Sequence, residues 1–461
     1  MGSVWFLLFH FLVAAGSSIA VSQEKRSTPD FSGINLSIHH ANHNSSLPPK
    51  SYFNHVLASD EDRVKVLYSR LAHKEEGITT SVASDSLKPA DLKSVGLPLK
   101  PGLSIGSGNY FVKVGLGSPT KYYSMLVDTG SSFSWLQCQP CAIYCHNQAD
   151  PLFNPSASKT YKSLSCRTPE CSSIKRATLN DPFCEASSKT CIYTASYGDA
   201  SFSVGYLSRD QLTLTPTEIL PSFVYGCGQD NQGLFGMAAG ILGLARDSLS
   251  LLGQVAPKYG SAFSYCLPTA SRAAPVSQGG FLSIGTASLG NPSAYKFTPM
   301  IKDPKLSSLY FLRLTAITVA GKPLGISPAA YRVPTIIDSG TVITRLPTSL
   351  YTPLRDAFVK IMSTKYTKAP NISILDACFK GSLNSLAAVP KLQLLFNGGA
   401  DLTLGAGNTV IEADKGVVCL AFAQSSGSNS IAIIGNLQQQ TYKVAYDVSN
   451  SRIGFAPGGC R

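Results

Sequence analysis

Two short stretches of the sequence repeat the same order of residue types. Residues 125–136 read MLVDTGSSFSWL, and residues 335–346 read TIIDSGTVITRL. In each stretch an aspartate, Asp128 or Asp338, follows an apolar run and precedes a hydroxyl residue, a glycine and a second hydroxyl residue. An aspartate can act as a general acid or base when its pKa is shifted by a second carboxylate nearby.

Asp128 and Asp338 are the candidate catalytic residues. Two adjacent carboxylates cannot both ionise readily, so such a pair shares one proton, activates a water with one oxygen and protonates a carbonyl with another. A glycine lets a backbone N–H approach each carboxylate, and the hydroxyls can donate hydrogen bonds to the outer oxygens. The candidate residues that support the pair are Thr129, Gly130, Ser131, Ser339, Gly340 and Thr341.

The scarcity of histidine excludes most other hydrolytic mechanisms. His146 is the one histidine that the sequence contains after residue 104. Ser–His–Asp and Cys–His catalysis both require a positioned imidazole. The sequence also has no dinucleotide-binding, P-loop or histidine-based metal motif. We therefore expect carboxylate chemistry that needs no cofactor and no metal.

The repeat extends beyond the two aspartate motifs. The run AAGILGLA, with Gly243, follows Asp128, and the run IAIIGNL, with Gly435, follows Asp338. Short β-rich segments separated by turn residues make up most of the remaining sequence. We predict a mostly-β body formed by two diverged copies that face each other across a pseudo-twofold axis.

The first 20 residues form an apolar stretch that ends in small residues. This pattern is typical of a secretory signal peptide over residues 1–20. A membrane anchor is the alternative, but the apolar run is shorter than the roughly 20 residues that a membrane-spanning helix needs. The sequence therefore predicts export through the secretory pathway, with no membrane span.

Residues 21–104 differ from the body because they contain no cysteine. Residues 58–77 are the best helical candidate, and residues 88–108 form a linker rich in Pro, Gly and Ser. The apolar residues at helical spacing are Val64, Leu67, Tyr68 and Leu71. We predict that residues 21–104 are a propeptide, with a small permanent N-terminal domain as the alternative.

Twelve cysteines, an even number, favour disulfides in an exported chain. A zinc site at CQPCAIYC is the alternative, although the spacing matches no paired C-x2-C motif and only His146 lies nearby. Three sequons, at Asn35, Asn44 and Asn371, permit glycosylation.

The formal net charge of +12 raises the question of nucleic-acid binding. The lysines and arginines are dispersed and form no long basic run, so solvated surface charge is the simpler interpretation. Nucleic acid remains an alternative partner that no sequence motif supports.

Several motifs of the body resemble those of pepsin-type aspartic proteases over nearly its whole length. The two aspartate motifs are typical of that family, and YGDASFSVGYL at 197–207 resembles its flap hairpin. The segments CQPCAIYC, FVYGCGQDNQGLF and FSYCLP are similar to the plant nepenthesin-like branch, which includes proteins described as chloroplast nucleoid DNA-binding aspartyl proteases. The flap and substrate-binding residues that this resemblance implies are Tyr197, Gly198, Asp199 and Trp135.

The resemblance implies a bilobal, pepsin-like fold. Two β-barrel-like lobes, residues 105–295 and 296–461, would be separated by a deep cleft that holds an extended polypeptide substrate. The implied protein is a monomeric aspartic endopeptidase made as a zymogen and inhibited by its own propeptide. A catalytically silent binding protein, similar to xylanase-inhibitor-like relatives, and a DNA-binding homologue are the alternatives.

The resemblance also implies a set of disulfides and a location. The secretory signal suggests the apoplast, another extracellular space or the vacuole, with the plastid as a less favoured alternative. The implied cysteine pairs are Cys138–Cys141, Cys145–Cys227, Cys166–Cys191, Cys171–Cys184, Cys266–Cys460 and Cys378–Cys419.

Overall fold

Short strands connected by turns make up most of the body of the chain. The computed structural model describes residues 57–58, 60–61, 63–65, 67–68, 94–101, 108–197, 201–233, 235–269, 280–303, 306–425 and 431–460. The first fourteen strands are β1 (Val95–Pro101), β2 (Tyr110–Leu116), β3 (Lys121–Asp128), β4 (Trp135–Gln137), β5 (Tyr144–Cys145), β6 (Lys162–Ser163), β7 (Phe183–Cys184), β8 (Cys191–Ser196), β9 (Phe202–Thr215), β10 (Glu218–Gln232), β11 (Gly240–Gly243), β12 (Ala262–Cys266), β13 (Gly280–Ile284) and β14 (Lys296–Pro299).

The second half of the chain continues the same pattern. Its strands are β15 (Phe311–Leu312), β16 (Leu314–Val319), β17 (Lys322–Pro323), β18 (Thr335–Ile337), β19 (Thr344–Leu346), β20 (Cys378–Lys380), β21 (Leu392–Phe396), β22 (Asp401–Leu404), β23 (Val410–Asp414), β24 (Val417–Leu420), β25 (Phe422–Gln424), β26 (Ala432–Ile434), β27 (Tyr442–Asp447) and β28 (Arg452–Pro457). The α-helices of the body are α1 (Pro169–Thr178), α2 (Leu251–Tyr259), α3 (Thr348–Met362), α4 (Ala406–Thr409) and α5 (Asn436–Gln439). Short 3-10 helices span Pro155–Ala157, Thr286–Leu289, Pro292–Ala294, Pro328–Arg332 and Asn397–Gly399.

The residue pattern of each strand matches the surfaces that the strand faces. In β8, Cys191, Tyr193 and Ala195 are buried and alternate with more exposed residues, as expected for a strand with one face on the core. The last six residues of β3 are all buried, so both faces of this strand are covered, and β2 and β11 pair with its two edges. The strand that leads to Asp128 therefore lies inside its sheet rather than at an edge.

The sequence repeat corresponds to two copies of one five-strand arrangement. The first copy has the strand order β2-β3-β11-β4-β10, and the second has the order β15-β18-β26-β19-β25. Corresponding neighbours pair in the same sense: β3 with β11 and β18 with β26 are parallel, whereas β11 with β4 and β26 with β19 are antiparallel. The predicted mostly-β fold and its internal duplication are confirmed.

The two halves of the chain also share strands. In the largest sheet, β12 of the first half pairs with β27 of the second half. The rings of Phe263 on β12 and Tyr446 on β27 stack with centroids 4.3 Å apart. The final strands of the second half are therefore integrated into the sheet of the first half.

The N-terminal helix, defined here by the described positions between residues 57 and 68, is helical at each of those positions. Val64 and Leu67 are fully or almost fully buried, and with Tyr68 they pack against a cluster of the second half that includes Phe311 and Ile336. The helix predicted from apolar spacing is confirmed over these positions. Leu71, the fourth predicted apolar position, lies outside the described residues.

Part of the predicted linker is a strand. β1, Val95–Pro101, pairs antiparallel with β13 and with β2, so the sequence prediction of an irregular connection was wrong here. The two prolines of VGLPLKP argued against a strand, since proline cannot donate to a ladder. The alternating apolar residues nevertheless place Val95 and Leu97 in the core.

All twelve cysteines form disulfides, which argues against the alternative of a zinc site. The implied pairs Cys266–Cys460 and Cys378–Cys419 are confirmed, with Cα atoms 5.4 Å and 4.0 Å apart. The other four implied pairs were wrong. The structure instead contains Cys138–Cys227, Cys141–Cys145, Cys166–Cys184 and Cys171–Cys191.

Strand register explains the difference at Cys138. β4 pairs in parallel with β10, and Leu136 is the register partner of Cys227. Cys138, two residues further on, donates its backbone N–H to the carbonyl oxygen of Gly228 at 2.9 Å. This places Cys138 beside Cys227 and leaves Cys141 and Cys145 to close a short loop.

No helix within the described ranges is long and apolar enough to cross a membrane.

Removing the Cys266–Cys460 disulfide should destabilise the protein more than removing Cys141–Cys145, because it closes a much longer loop. The sequence separations are 194 and 4 residues. The chain-entropy relation gives losses of about 5 and about 2 kcal/mol, respectively. Denaturant unfolding of the oxidised full-length protein, with both cysteines of one pair replaced by alanine, measures each loss. Equal losses would contradict the loop-length argument.

Candidate active site

Asp128 and Asp338 occupy equivalent places in the two copies. Asp128 is the last residue of β3, in register with Gly243 of β11, and Asp338 directly follows β18. The backbone N–H of Asp338 donates to the carbonyl oxygen of Ile434 at 3.1 Å, which continues the parallel pairing of β18 with β26. Both aspartates are buried. The apolar runs that precede them thus form central strands that carry the carboxylates into the interior.

Groups of its own motif hold the first carboxylate. The backbone N–H of Gly130 donates to Asp128 Oδ1 at 2.8 Å, and the Ser131 hydroxyl donates to Asp128 Oδ2. Each oxygen of Asp128 therefore has its own donor, as predicted for the supporting residues. These two hydrogen bonds fix the plane of the carboxylate.

The second motif repeats this arrangement. The backbone N–H of Gly340 donates to Asp338 Oδ1 at 3.2 Å, and the Thr341 hydroxyl donates to Asp338 Oδ2 at 2.7 Å. Gly340 has no room for a side chain, since an added Cβ would lie 2.5 Å from Asp128 Oδ1. The close approach of the two motifs therefore requires glycine at this position.

Reciprocal hydrogen bonds join the two motifs. The backbone N–H of Thr129 donates to Ser339 Oγ at 3.1 Å, and the backbone N–H of Ser339 donates to Thr129 Oγ1 at 2.9 Å. Ser339 Oγ in turn donates to the carbonyl oxygen of Val127 at 3.0 Å. The hydroxyl residue after each aspartate thus binds the backbone of the other copy and sets the relative position of the two carboxylates.

One guanidinium contacts both carboxylates. Arg63 of the N-terminal helix places Nη2 at hydrogen-bond distance from Asp128 Oδ1, 3.2 Å from Asp338 Oδ2 and 3.4 Å from Asp338 Oδ1. Its Nε donates to Asp338 Oδ2 at 3.2 Å. Because a single nitrogen reaches oxygens of both residues, the two aspartates form a close pair. The side chain of Arg63 fills the position between them.

The surroundings of the two carboxyl groups shift their pKa values in opposite directions. Burial raises the pKa of Asp128, and the Asp338 charge adds to that rise, although the Arg63 charge opposes it. Burial also acts to raise the pKa of Asp338, but the Arg63 charge and the hydrogen bonds from Thr341 and Gly340 outweigh it, so this pKa is lowered. With Arg63 bound, Asp338 is therefore the more readily ionised member of the pair.

Trp135 and Tyr197 contact each other beside the first motif. The Trp135 indole Nε1–H donates to the Tyr197 hydroxyl at 2.7 Å, and Trp135 is fully buried. The ring of Phe235 packs edge-on against both, with centroids 4.9 Å and 5.6 Å away. Phe235 was not predicted from the sequence. Gly198 and Asp199, predicted as flap residues, lie outside the described residues.

A second contact of the N-terminal helix was also missed. The carboxylate of Asp60 accepts hydrogen bonds from the backbone N–H groups of Val342 and Ile343, and its Oδ2 lies 3.0 Å from Nη2 of Arg345. Burial raises the pKa of Asp60, whereas the Arg345 charge and the two N–H donors act against that rise. The i, i+3 spacing of Asp60 and Arg63 on a helix was the sequence signal for a charged face.

The comparisons with known proteins agree with this geometry. Residues 110–286 match the family profile described as xylanase inhibitor N-terminal, and residues 309–457 match xylanase inhibitor C-terminal. The solved structure of basic 7S globulin from soybean is similar with a TM-score of 0.62 and 22% identity, covering 79% of this chain and 96% of that one. At this identity the similarity establishes the fold alone, and it confirms the predicted pepsin-like architecture.

Two plant proteins are similar over most of the sequence. An aspartyl protease family protein of Arabidopsis thaliana is 44% identical over 406 residues, which cover 88% of this chain and 82% of that protein. Aspartic proteinase nepenthesin-2 of Nepenthes gracilis is 35% identical over 363 residues, which cover 77% and 78% of the two chains. The chain therefore belongs to the nepenthesin-like branch of the pepsin-type plant aspartic proteases.

Proposed function

We propose that this protein is an aspartic endopeptidase made as a zymogen, in which Asp128 and Asp338 activate water and the N-terminal helix blocks them until it is removed. The observation that carries the proposal is the convergence of the two carboxylates on a single Arg63 nitrogen. Each carboxylate is held by a glycine N–H and a hydroxyl, so both are oriented before any substrate binds.

In the active form, a water molecule takes the place of the Arg63 nitrogen between the carboxylates. The pair holds one proton, as is established for aspartic-protease dyads in general. The ionised carboxylate removes a proton from the water as it attacks the scissile carbonyl carbon, and the protonated carboxyl donates its proton to the carbonyl oxygen. The carboxyl that gained the proton then donates it to the amide nitrogen, the other carboxylate takes a proton from a hydroxyl of the tetrahedral intermediate, and the C–N bond breaks. The attack needs no covalent intermediate, and the proposed mechanism uses no cofactor.

The proposed substrate is a polypeptide in extended conformation. An extended segment presents backbone N–H and C=O groups for hydrogen bonding and alternate side chains to separate pockets. Tyr197 is fixed by Trp135 and Phe235 near the first motif, which supports its assignment to the hairpin that covers the substrate. Gly198 and Asp199, which the family resemblance assigns to the flap, lie outside the described residues, and their roles remain predictions.

The zymogen proposal extends the sequence hypothesis that residues 21–104 are an inhibitory propeptide, because a basic side chain of that segment could pair with the dyad. Arg63 is the candidate for that side chain, since it contacts both aspartates. Val64 and Leu67 anchor the N-terminal helix by packing on the second half of the chain. A polypeptide substrate and Arg63 cannot occupy the dyad together, so the helix has to leave before catalysis.

Passage through the secretory pathway is part of the proposal. Six disulfides are typical of proteins that fold in an oxidising compartment. Asn371 is exposed, as a glycosylation acceptor has to be, whereas Asn35 and Asn44 lie outside the described residues. The signal peptide over residues 1–20 and the extracellular or vacuolar destination stay predictions.

Replacing either aspartate by asparagine should abolish peptide cleavage in processed protein. D128N and D338N keep the shape of the side chain but remove the ionisable group, and loss of acid–base catalysis reduces rates by about 10²–10⁴-fold. The measurement is pepstatin-sensitive cleavage of a denatured protein substrate at acidic pH, after the N-terminus of the processed material has been determined. Asp356, exposed on α3, provides the matched control D356N.

The outcome that contradicts this proposal is a well-folded, processed wild-type protein without pepstatin-sensitive cleavage. That result would favour the silent binding protein suggested by the description of the matching family profile. A DNA-binding homologue would instead show a gel shift that weakens steeply with rising salt.

The R63Q variant should open the dyad of the unprocessed chain to pepstatin. Removing the guanidinium leaves two buried carboxylates facing each other and takes away the charge-assisted hydrogen bonds that hold the helix in place. We expect pepstatin to bind full-length R63Q at least about tenfold more tightly than the full-length wild type at neutral pH. K65Q, which removes an exposed charge from the same helix, is the control. Equal binding by R63Q and wild type would contradict the blocking role of Arg63.

Acidification should favour release of the N-terminal helix. The Arg63 charge lowers the pKa of Asp128 and of Asp338, so both carboxyls bind protons more readily once Arg63 has left. Arg63 therefore stabilises the form in which the N-terminal helix covers the dyad at pH values above the pKa of the free dyad. This stabilisation is lost as the pH falls below that pKa. Pepstatin binding by unprocessed wild type should rise as the pH falls toward 4, and this rise should be smaller in R63Q. An opposite slope would contradict the linkage.

A further inference from the structure

A buried receptor for a carboxylate lies next to the dyad. It consists of the Arg345 guanidinium and the backbone N–H groups of Val342 and Ile343, which follow the second aspartate motif directly in sequence. The carboxylate of Asp60 occupies it: Ile343 N lies 3.0 Å from Asp60 Oδ2, and Arg345 Nη2 lies 3.0 Å from the same oxygen. Two backbone donors and one guanidinium charge thus converge on one acid.

The acids that compensate Arg345 both come from the N-terminal helix. Arg345 is fully buried, and Glu61 places Oε2 3.1 Å from its Nη2, beside Asp60. Within the described part of the chain, Arg345 has no other carboxylate partner. It otherwise donates through Nη1 to the carbonyl oxygen of Ile343 at 3.3 Å. Among the described residues, the tyrosines Tyr68 and Tyr351 also lie near the Arg345 charge.

Departure of the N-terminal helix leaves this receptor empty. The Arg345 guanidinium then has neither of its two counter-charges, and the backbone N–H groups of Val342 and Ile343 have lost the carboxylate that accepted from them. Binding another carboxylate recovers those interactions, and a bidentate or charge-assisted pairing with arginine is among the strongest that a protein side chain forms. An empty receptor of this kind discriminates sharply in favour of acidic ligands.

We propose that the Arg345 receptor becomes a substrate subsite that selects an aspartate or glutamate side chain close to the scissile bond. This inference rests on the proposed protease function and on removal of the N-terminal helix. Asp60 and Arg63 are three residues apart on a helix, which corresponds to a rise of about 4.5 Å. An extended substrate covers that distance in about one or two residues, at about 3.3 Å each. The acidic side chain therefore lies within about two residues of the cleaved bond.

The test is cleavage of matched peptides by processed enzyme. At each position around the scissile bond, a peptide with Glu is compared with the same peptide carrying Gln. At one position, kcat/KM should be about ten- to one-hundredfold higher for the Glu peptide, as expected for charge-assisted hydrogen bonds. Peptides with amidated C-termini distinguish recognition of a side-chain carboxylate from recognition of the C-terminal carboxylate, because amidation removes only the latter. A preference that requires the free C-terminus would overturn the side-chain assignment.

The variant that tests the receptor is D60N/R345M, which removes both charges together so that the precursor has no unpaired buried acid at position 60. Its Glu preference should fall to within about twofold, while cleavage of the Gln peptide is retained. R355M, which removes a less buried arginine on α3, should keep the preference. Retention of the Glu preference in D60N/R345M would overturn the proposal.

The pH dependence provides a readout that a merely structural role of Arg345 would not change. The Glu/Gln ratio should decline as the pH falls through the range in which a glutamate side chain protonates, near pH 4. Two failures are distinguishable. Absence of any pepstatin-sensitive cleavage rejects the protease function itself, whereas cleavage with equal rates for Glu and Gln at every position rejects only the acidic subsite.

Discussion

Asp128 and Asp338 are buried and face each other, so they repel each other when both are ionised. The surrounding contacts hold the two carboxylates together and compensate this repulsion. The pair exists because Thr129 and Ser339 exchange hydrogen bonds between backbone N–H groups and hydroxyls, so that neither copy of the repeat can position its aspartate alone. Bringing the like charges together raises the energy of the doubly ionised state. Arg63 compensates that charge in the full-length chain, and a shared proton does so in the proposed active form.

The sequence identified the parts of the site that lie within a few residues of each aspartate. Gly130, Ser131, Gly340 and Thr341 bind the carboxylate two or three positions before them, so their contacts follow from the local turn. The duplicated motif, together with the apolar runs that contain Gly243 and Gly435, also indicated two diverged copies. In both cases spacing along the chain was sufficient, since the geometry is set by local backbone conformation and by repetition.

The remaining parts depend on packing between distant segments. Arg63 is one of several basic residues in its region, and only the docking of Val64 and Leu67 on the second half of the chain aims its side chain at the dyad. Cys138 pairs with Cys227 because β4 and β10 are in register, a fact that neither cysteine spacing nor family resemblance supplied correctly. Strand β1 was missed since its prolines argued against pairing, whereas burial of Val95 and Leu97 outweighs that penalty.

Because the two halves share a sheet, the order in which this polypeptide can fold during translation is constrained. β12 pairs with β27, and Cys266 is bonded to Cys460, which the ribosome adds 194 residues later. The first copy can form its own five-strand arrangement early, but one flank of its sheet stays unpaired until the end of the second copy has been made. An exposed strand edge of this kind invites association with other chains. Pairing of this flank and formation of the Cys266–Cys460 disulfide therefore come late, after both copies have been made.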